Sequence, residues 1–278
     1  MSIVNSGKAR LRAFAKAVIA RDFPMRSLRD RAQVTKPTWT SVIPPKVWST
    51  GPSSKLGASH WRAVQEFRSL NPDFQFNYLD DEAAASFMRK HFAGEPILDL
   101  FERTILGPMR ADIFRYAALW IEGGVYIDVS KALTQPLSNF LEGARGPVLS
   151  YERNPLPLSI NDRYADVRLE PFLIVQWCIM SPPRHPILGR MLANIVEQAR
   201  SFAGVRVSSA KEAGLSLTGP RLWTQSIYEV IARDPGVALE IASFDYQERR
   251  FPVIRGSSTN YIFRSHYSEL RDVIVIAK

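Results

Sequence analysis

Cysteine is nearly missing from this 278-residue chain. Cys178 stands alone, so no disulfide can close within it. Its place in the apolar run FLIVQWCIM marks a buried thiol rather than a reactive one. Long apolar runs are missing as well. No stretch approaches the roughly 18–20 residues that cross a bilayer. The first residues lack the apolar core and small-residue cleavage site of a secretory signal. The four histidines are scattered, without metal-ligand spacing. Internal repeats, low-complexity tracts and long linkers are also lacking. What remains, 46% hydrophobic and 23% charged, suits a soluble chain with a full core. The expected location is cytoplasmic.

The net charge of +9 has the size expected of a nucleic-acid binder, but its distribution excludes that class. Residues 1–36 carry nine Lys and Arg against two Asp, a balance of +7 that leaves +2 for all the rest. The basicity belongs to an arm, and residues 37–278 form the expected domain. Within the arm, Leu11, Phe14, Ala15 and Val18 recur at helical spacing beside Lys8, Arg12 and Lys16. Such a basic amphipathic helix suits an anionic membrane surface, here the inner face. A helix packed on the domain and an organellar leader are the alternatives.

From Pro37 onward the pattern alternates. SVIPPKVWST reads as a strand, SHWRAVQEFRSL as a helix with Trp61, Val64, Phe67 and Leu70 inward, DFQFNYLDD as a strand and DEAAASFMRKHF as a helix. GPMRADIFRYAALWIEGG follows. Pro108 suits a first helical turn, Ile113, Ala117, Trp120 and Ile121 form a stripe, and Gly123 suits a left-handed cap. VYIDVS is then a central strand with Asp128 at its C-terminal end, where open α/β sheets bind ligands. RLEPFLIVQWCIMSPP reads as a further strand, HPILGRMLANIVEQAR and TGPRLWTQSIYEVIARD as helices, and the tail as a short strand. The order predicts an α/β fold with a mixed, mostly parallel sheet flanked by helices.

Asp112 and Arg115 share a helix face at i and i+3, and Asp128 follows sixteen residues after Asp112. The turn at Gly123-Gly124 can bring both to one cleft. Two carboxylates and a guanidinium there can hold sugar hydroxyls, phosphate and a divalent cation. The plain alternative is a surface ion pair and an Asp128 that caps the next turn. His185, in PPRHPIL, reads as a loop-shaping residue. His266, in FRSHYSEL, could be a surface histidine or a C-terminal polar group of the site.

IPPKVWSTG, RADIFRYAALWIEGGVYIDVS, HPIL and LTGP, in that order, resemble glycosyltransferase family 32 over roughly residues 42–225. That family holds the sugar-binding region with an Asp-x-Asp motif, found in yeast Golgi mannosyltransferases and bacterial polysaccharide and lipid-sugar transferases. The resemblance implies a GT-A, Rossmann-type fold, a UDP- or GDP-linked sugar donor, a glycan or lipid-linked acceptor, manganese or magnesium, and transfer with retention. It implies a donor site of Val47, Trp48, Asp112, Arg115, Gly124, Tyr126, Asp128 and Ser130, with Trp48 against the base. It makes Asp112, Arg115 and Asp128 the residues that carry the reaction, and Asp128, Ser130 and His266 the candidates near the cation.

The sequence departs from the pattern at Ser130, where the second acid would stand. A hydroxyl is a poor substitute for a carboxylate on a hard cation. Three outcomes stay open. The cation is shared with the diphosphate; a base such as Arg115 or Lys131 replaces it; or the protein binds its ligand without turnover. A strand ending in Asp also opens phosphatases of the haloacid dehalogenase type. Those need the second acid too and usually place this strand near the N-terminus, whereas here 127 residues precede Asp128.

Overall fold

The computed structural model describes residues 25–153, 164, 166–167, 169–248, 253–254, 257 and 269–278. The amphipathic stretch from Leu11 to Val18 and His266 lie outside them. The strands are β1 (Arg26–Ser27), β2 (Lys46–Thr50), β3 (Lys55–Leu56), β4 (Gln75–Leu79), β5 (Gly124–Ile127), β6 (Val148–Tyr151), β7 (Cys178–Ser181), β8 (Arg206–Val207), β9 (Glu240–Phe244) and β10 (Val273–Ile274). The helices are α1 (Ala58–Ser69), α2 (Asp81–His91), α3 (Pro96–Arg103), α4 (Gly107–Glu122), α5 (Ser138–Leu141), α6 (Pro186–Ala199), α7 (Ala210–Leu217) and α8 (Pro220–Arg233).

Six strands form the main sheet, in the order β4-β2-β5-β7-β6-β9. The pairs β4-β2, β2-β5 and β6-β9 are parallel, and β7 runs against both its neighbours. Every strand except β7 therefore points the same way. The C-terminal ends of β2, β5, β6 and β9 share one edge, and Asp128 stands on it, just past β5.

Strand alternation sorts the core into two layers. Val125 and Ile127 of β5 join Val47, Phe67 of α1 and Phe140 of α5 on one face. Tyr126 and Trp48 face the other layer, built from α2, α3, α4, α6, α7 and α8. With a period of two, Asp128 falls on the Tyr126 side, the side of α4.

Helix α4 ends as its sequence predicts. Pro108 sits in the first turn, and Gly123 has φ 64° at the C-cap. A Cβ on Gly124, φ 104°, would meet the Lys46 carbonyl oxygen at 2.4 Å, so the close packing of β5 on β2 needs glycine there. The helix is more central than a single apolar stripe implies. Met109, Ile113, Phe114, Tyr116, Ala117, Ala118 and Leu119 are all buried, whereas Trp120 and Ile121 are only partly so. The reason is that α4 is covered on its outer side by α6. Helix α2 carries an Asp80 side-chain cap on the Ala83 amide, acids in its first turn and bases in its last.

Some details depart from the sequence reading. Leu70 caps α1 exposed rather than inward, and in the run before Pro182 strand β7 covers Cys178–Ser181, with a separate bridge from Ile174 to Tyr151 ahead of it. Helices α3 and α7 and strands β6 and β9 were not legible. The described part of the basic segment is tied to the domain. β1 pairs with β3, Arg31 bridges edge strand β4 at Phe76, and Leu28 is buried.

Candidate functional site

Arg115 is the centre of the site. Its Nη2 lies 2.9 Å from Asp128 Oδ1 and 3.1 Å from Asp112 Oδ1. Nη1 donates to the Gln176 carbonyl at 2.9 Å, and the guanidinium lies over the Tyr126 ring at 4.7 Å. Four elements or connections converge here: α4, β5, the turn after β5 and the approach to β7. The α4 turn at Gly123-Gly124 brings the helix face and the strand end together.

The side chains grade outward. Arg115 is 5% exposed, Asp112 15% and Asp128 30%. Asp128 is thus the member of the trio most open to a ligand. Burial alone would lower the Arg115 pKa, but Asp128 and Asp112 more than reverse this, so the guanidinium is a fixed charge. Burial raises the Asp112 carboxyl to about 6, against the lowering effects of Arg115 and a hydrogen bond from Thr218. At neutral pH it is ionised. Burial also pushes the Tyr126 phenol up, so it stays a neutral hydroxyl.

Asp112, Arg115, Tyr126 and Asp128 are brought together. The other candidates sit differently. Trp48 is on the same face, but its indole is 7% exposed, donates to the Gly123 carbonyl at 2.9 Å and meets Phe87 edge-on. Only a small part of it is left for a base to touch. Val47 points into the opposite layer, and Gly124 serves the β2–β5 contact. Ser130 follows in the turn after Asp128, half-buried, and its carbonyl accepts the Ile254 amide at 2.8 Å. His185 caps α6 by accepting the Ile187 amide.

Three residues near the trio were not picked out from sequence. The Thr218 hydroxyl donates to Asp112 Oδ2 at 2.7 Å. The Gln176 side chain donates to the Tyr116 hydroxyl and to the Thr218 carbonyl, both at 2.8 Å. LTGP was the visible signal for Thr218; Gln176 and Tyr116 gave none. Further along the edge, burial lowers the Lys131 ammonium to about 8, while Asp128, Glu152 and Asp245 favour its charge.

The donor set for a divalent cation is thin. Asp128 spends Oδ1 on Arg115, and its partner two residues on is a hydroxyl. Among the described residues, no three His, Cys, Asp or Glu side chains gather as cation ligands. These residues do not make a cation site by themselves, since hard cations take six or more oxygens, several of them charged.

Residues 57–146 match the family described as "Glycosyltransferase sugar-binding region containing DXD motif". The initiation-specific alpha-1,6-mannosyltransferase of Schizosaccharomyces pombe is 25% identical over 198 residues, covering 68% of this chain and 49% of that protein. The enzyme of the same name from Saccharomyces cerevisiae is 25% identical over 221 residues, 66% of this chain and 45% of its own length. The chain spans about half the length of the curated relatives it matches. Among solved structures, PaToxG glycosyltransferase superposes with a TM-score of 0.50 at 17% identity, over 83% of this chain and 80% of its own. That likeness concerns the fold, which is of the GT-A type. Over residues 57–146, about a third of its length, the chain is similar to the glycosyltransferase sugar-binding family containing the DXD motif.

Proposed function

We propose that this chain transfers a hexosyl group from a nucleoside-diphosphate sugar to a glycan or lipid-borne hydroxyl. The observation that carries this is the Asp112–Arg115–Asp128 trio at the C-terminal end of the central strand, inside the region that matches the family. The names of the relatives, mannosyltransferases, favour mannose as the sugar.

In this reading Asp112 accepts hydrogen bonds from sugar hydroxyls, and Arg115 holds Asp112 and Asp128 side by side on the donor. Asp128, the most open of the three, faces the ribose and diphosphate side. Tyr126 supports the Arg115 guanidinium with its ring. The bond from the sugar C1 to the diphosphate oxygen breaks, and its electron pair leaves on the diphosphate. The acceptor oxygen bonds to C1 and gives its proton to the departing diphosphate oxygen. Lys131, about 8 in pKa and largely charged at pH 7, stands near Asp128 to offset the charge that develops on the leaving diphosphate. The family resemblance favours retention at C1. Manganese or magnesium, if used, supplies charge to the same oxygens. With Ser130 in place of the second acid, the diphosphate would have to provide most of its ligands.

A binding-only protein on the same fold is the second reading, and Ser130 is the observation behind it. The basic segment at the N-terminus supports contact with an anionic membrane, which would suit a lipid-borne acceptor. The test is a donor screen. Purified protein is titrated with UDP- and GDP-sugars, with and without manganese, and hydrolysis and transfer to glycan or lipid acceptors are followed. Binding with sugar release supports the enzyme. Binding without turnover under any condition selects the second reading. No binding of any nucleotide sugar rejects both.

A further inference from the structure

The LTGP stretch closes the loop between α7 and α8, and its role is set by its geometry. Thr218 is the C-cap of α7, and Pro220 starts α8. A Cβ on Gly219 would meet the Gly214 carbonyl oxygen at 2.7 Å, so the turn closes this tightly only with glycine there. The turn is thereby pressed against α4, and Thr218 is 1% exposed. Its hydroxyl takes Asp112 Oδ2, while Arg115 takes Oδ1. Its carbonyl accepts from the Gln176 amide at 2.8 Å and from the Tyr116 hydroxyl at 3.3 Å. Gln176 in turn gives its own carbonyl to Arg115 Nη1. Asp112 and Arg115 are therefore held from behind by one buried network.

We propose that Thr218, backed by Gln176 and Tyr116, is a positioning residue that fixes the Asp112 carboxylate for the sugar of the donor rather than for its nucleotide. The proposal deepens the functional reading above and rests on it. A carboxylate free to rotate about its side-chain torsions offers hydroxyl groups a blurred target. One with an oxygen bonded on each side offers its remaining lone pairs in a fixed direction. The network bonds directly to Asp112 and Arg115, and its link to Asp128, the acid assigned to the ribose and diphosphate side, runs through Arg115. Loss of the Thr218 hydroxyl should therefore be felt at the sugar and not at the nucleotide.

The test uses the full chain with Thr218→Val, nearly the same in shape, and Thr218→Ser, which keeps the hydroxyl. Calorimetry measures affinity for the nucleotide sugar found by the donor screen and for its free nucleoside diphosphate. Thr218→Val should weaken nucleotide-sugar binding about tenfold, the usual worth of one buried hydrogen bond to a charged group. It should change free-nucleotide binding less than about twofold, and Thr218→Ser should restore wild-type values. Equal losses for both ligands, no loss for either, or failure of Thr218→Ser to restore would overturn the proposal. If Thr218→Val does not fold, Thr218→Ala takes its place with the same criteria. If wild-type protein binds no nucleotide sugar, the functional reading falls on its own. The positioning claim is then decided by arginine-selective ¹⁵N NMR. Loss of the hydroxyl should move the Arg115 guanidinium signals, with Thr218→Ser unchanged; unmoved signals refute it.

Discussion

Replacing Arg115 with methionine keeps most of the side-chain volume but removes the charge between two carboxylates. The structure gives two separable costs. The Gln176 carbonyl loses its donor and Tyr126 loses its cation, and together these are worth about 2 kcal/mol at any pH. The second cost depends on pH. Wild-type Asp112 ionises at about 6. Without Arg115 its pKa must rise further, because burial is no longer opposed by that charge. Below pH 6 both proteins hold the Asp112 proton, and this cost vanishes. As pH rises past 6 the wild type releases the proton while the folded variant retains it. The unfolded chain is ionised in both cases, so the folded variant binds the extra proton and its stability falls with pH.

The slope for one carboxylate is about 1.4 kcal/mol per pH unit, so the gap should widen by about 2 kcal/mol between pH 6 and pH 7.5. The total near pH 7.5, about 4 kcal/mol, agrees with the usual cost of breaking a buried ion pair. Urea melts of wild type and Arg115→Met at pH 5.5 and 7.5 measure it. A gap that is the same at both pH values, or below about 1 kcal/mol at pH 7.5, would refute the buried trio.

Three further outcomes are expected. Burial alone would raise the Glu229 pKa, but hydrogen bonds from Arg190, Asn194 and Gln225 bring it down to about 2 from 4.5. Its contribution should be complete above pH 4.5, about 3 kcal/mol, and lost as pH falls toward 2; the stability gap between wild type and Glu229→Gln should close over that range. Manganese should bind the free protein weakly and more tightly once a nucleoside diphosphate is present, and Ser130→Asp should tighten metal binding to the free protein; calorimetry showing no gain would mean that position 130 does not face the cation. Removing residues 1–24 should leave the melting temperature unchanged while weakening sedimentation with phosphatidylserine vesicles. Removal through residue 36 should also destabilise the domain, because it takes away buried Leu28 and the Arg31–Phe76 pairing.

The sequence determined those features that local chemistry decides. Period-two and period-3.6 patterns located β2, β4, β5, α1, α2, α4, α6 and α8, since each needs an apolar face over a short window. Gly123 marked the end of α4, because a left-handed cap accepts few other residues. The Asp112, Arg115 and Asp128 spacing was enough to suggest one cleft. The tertiary structure alone decided what depends on distant packing. It covered α4 on both sides, so that Arg115 became a buried fixed charge instead of half of a surface pair. It drew the Trp48 indole into the core, where Gly123 satisfies the N–H. It brought Thr218 against Asp112 across 106 residues of chain. No local pattern encodes such a contact, because it follows from how α7 and α8 pack on α4 and not from any side chain's own preference.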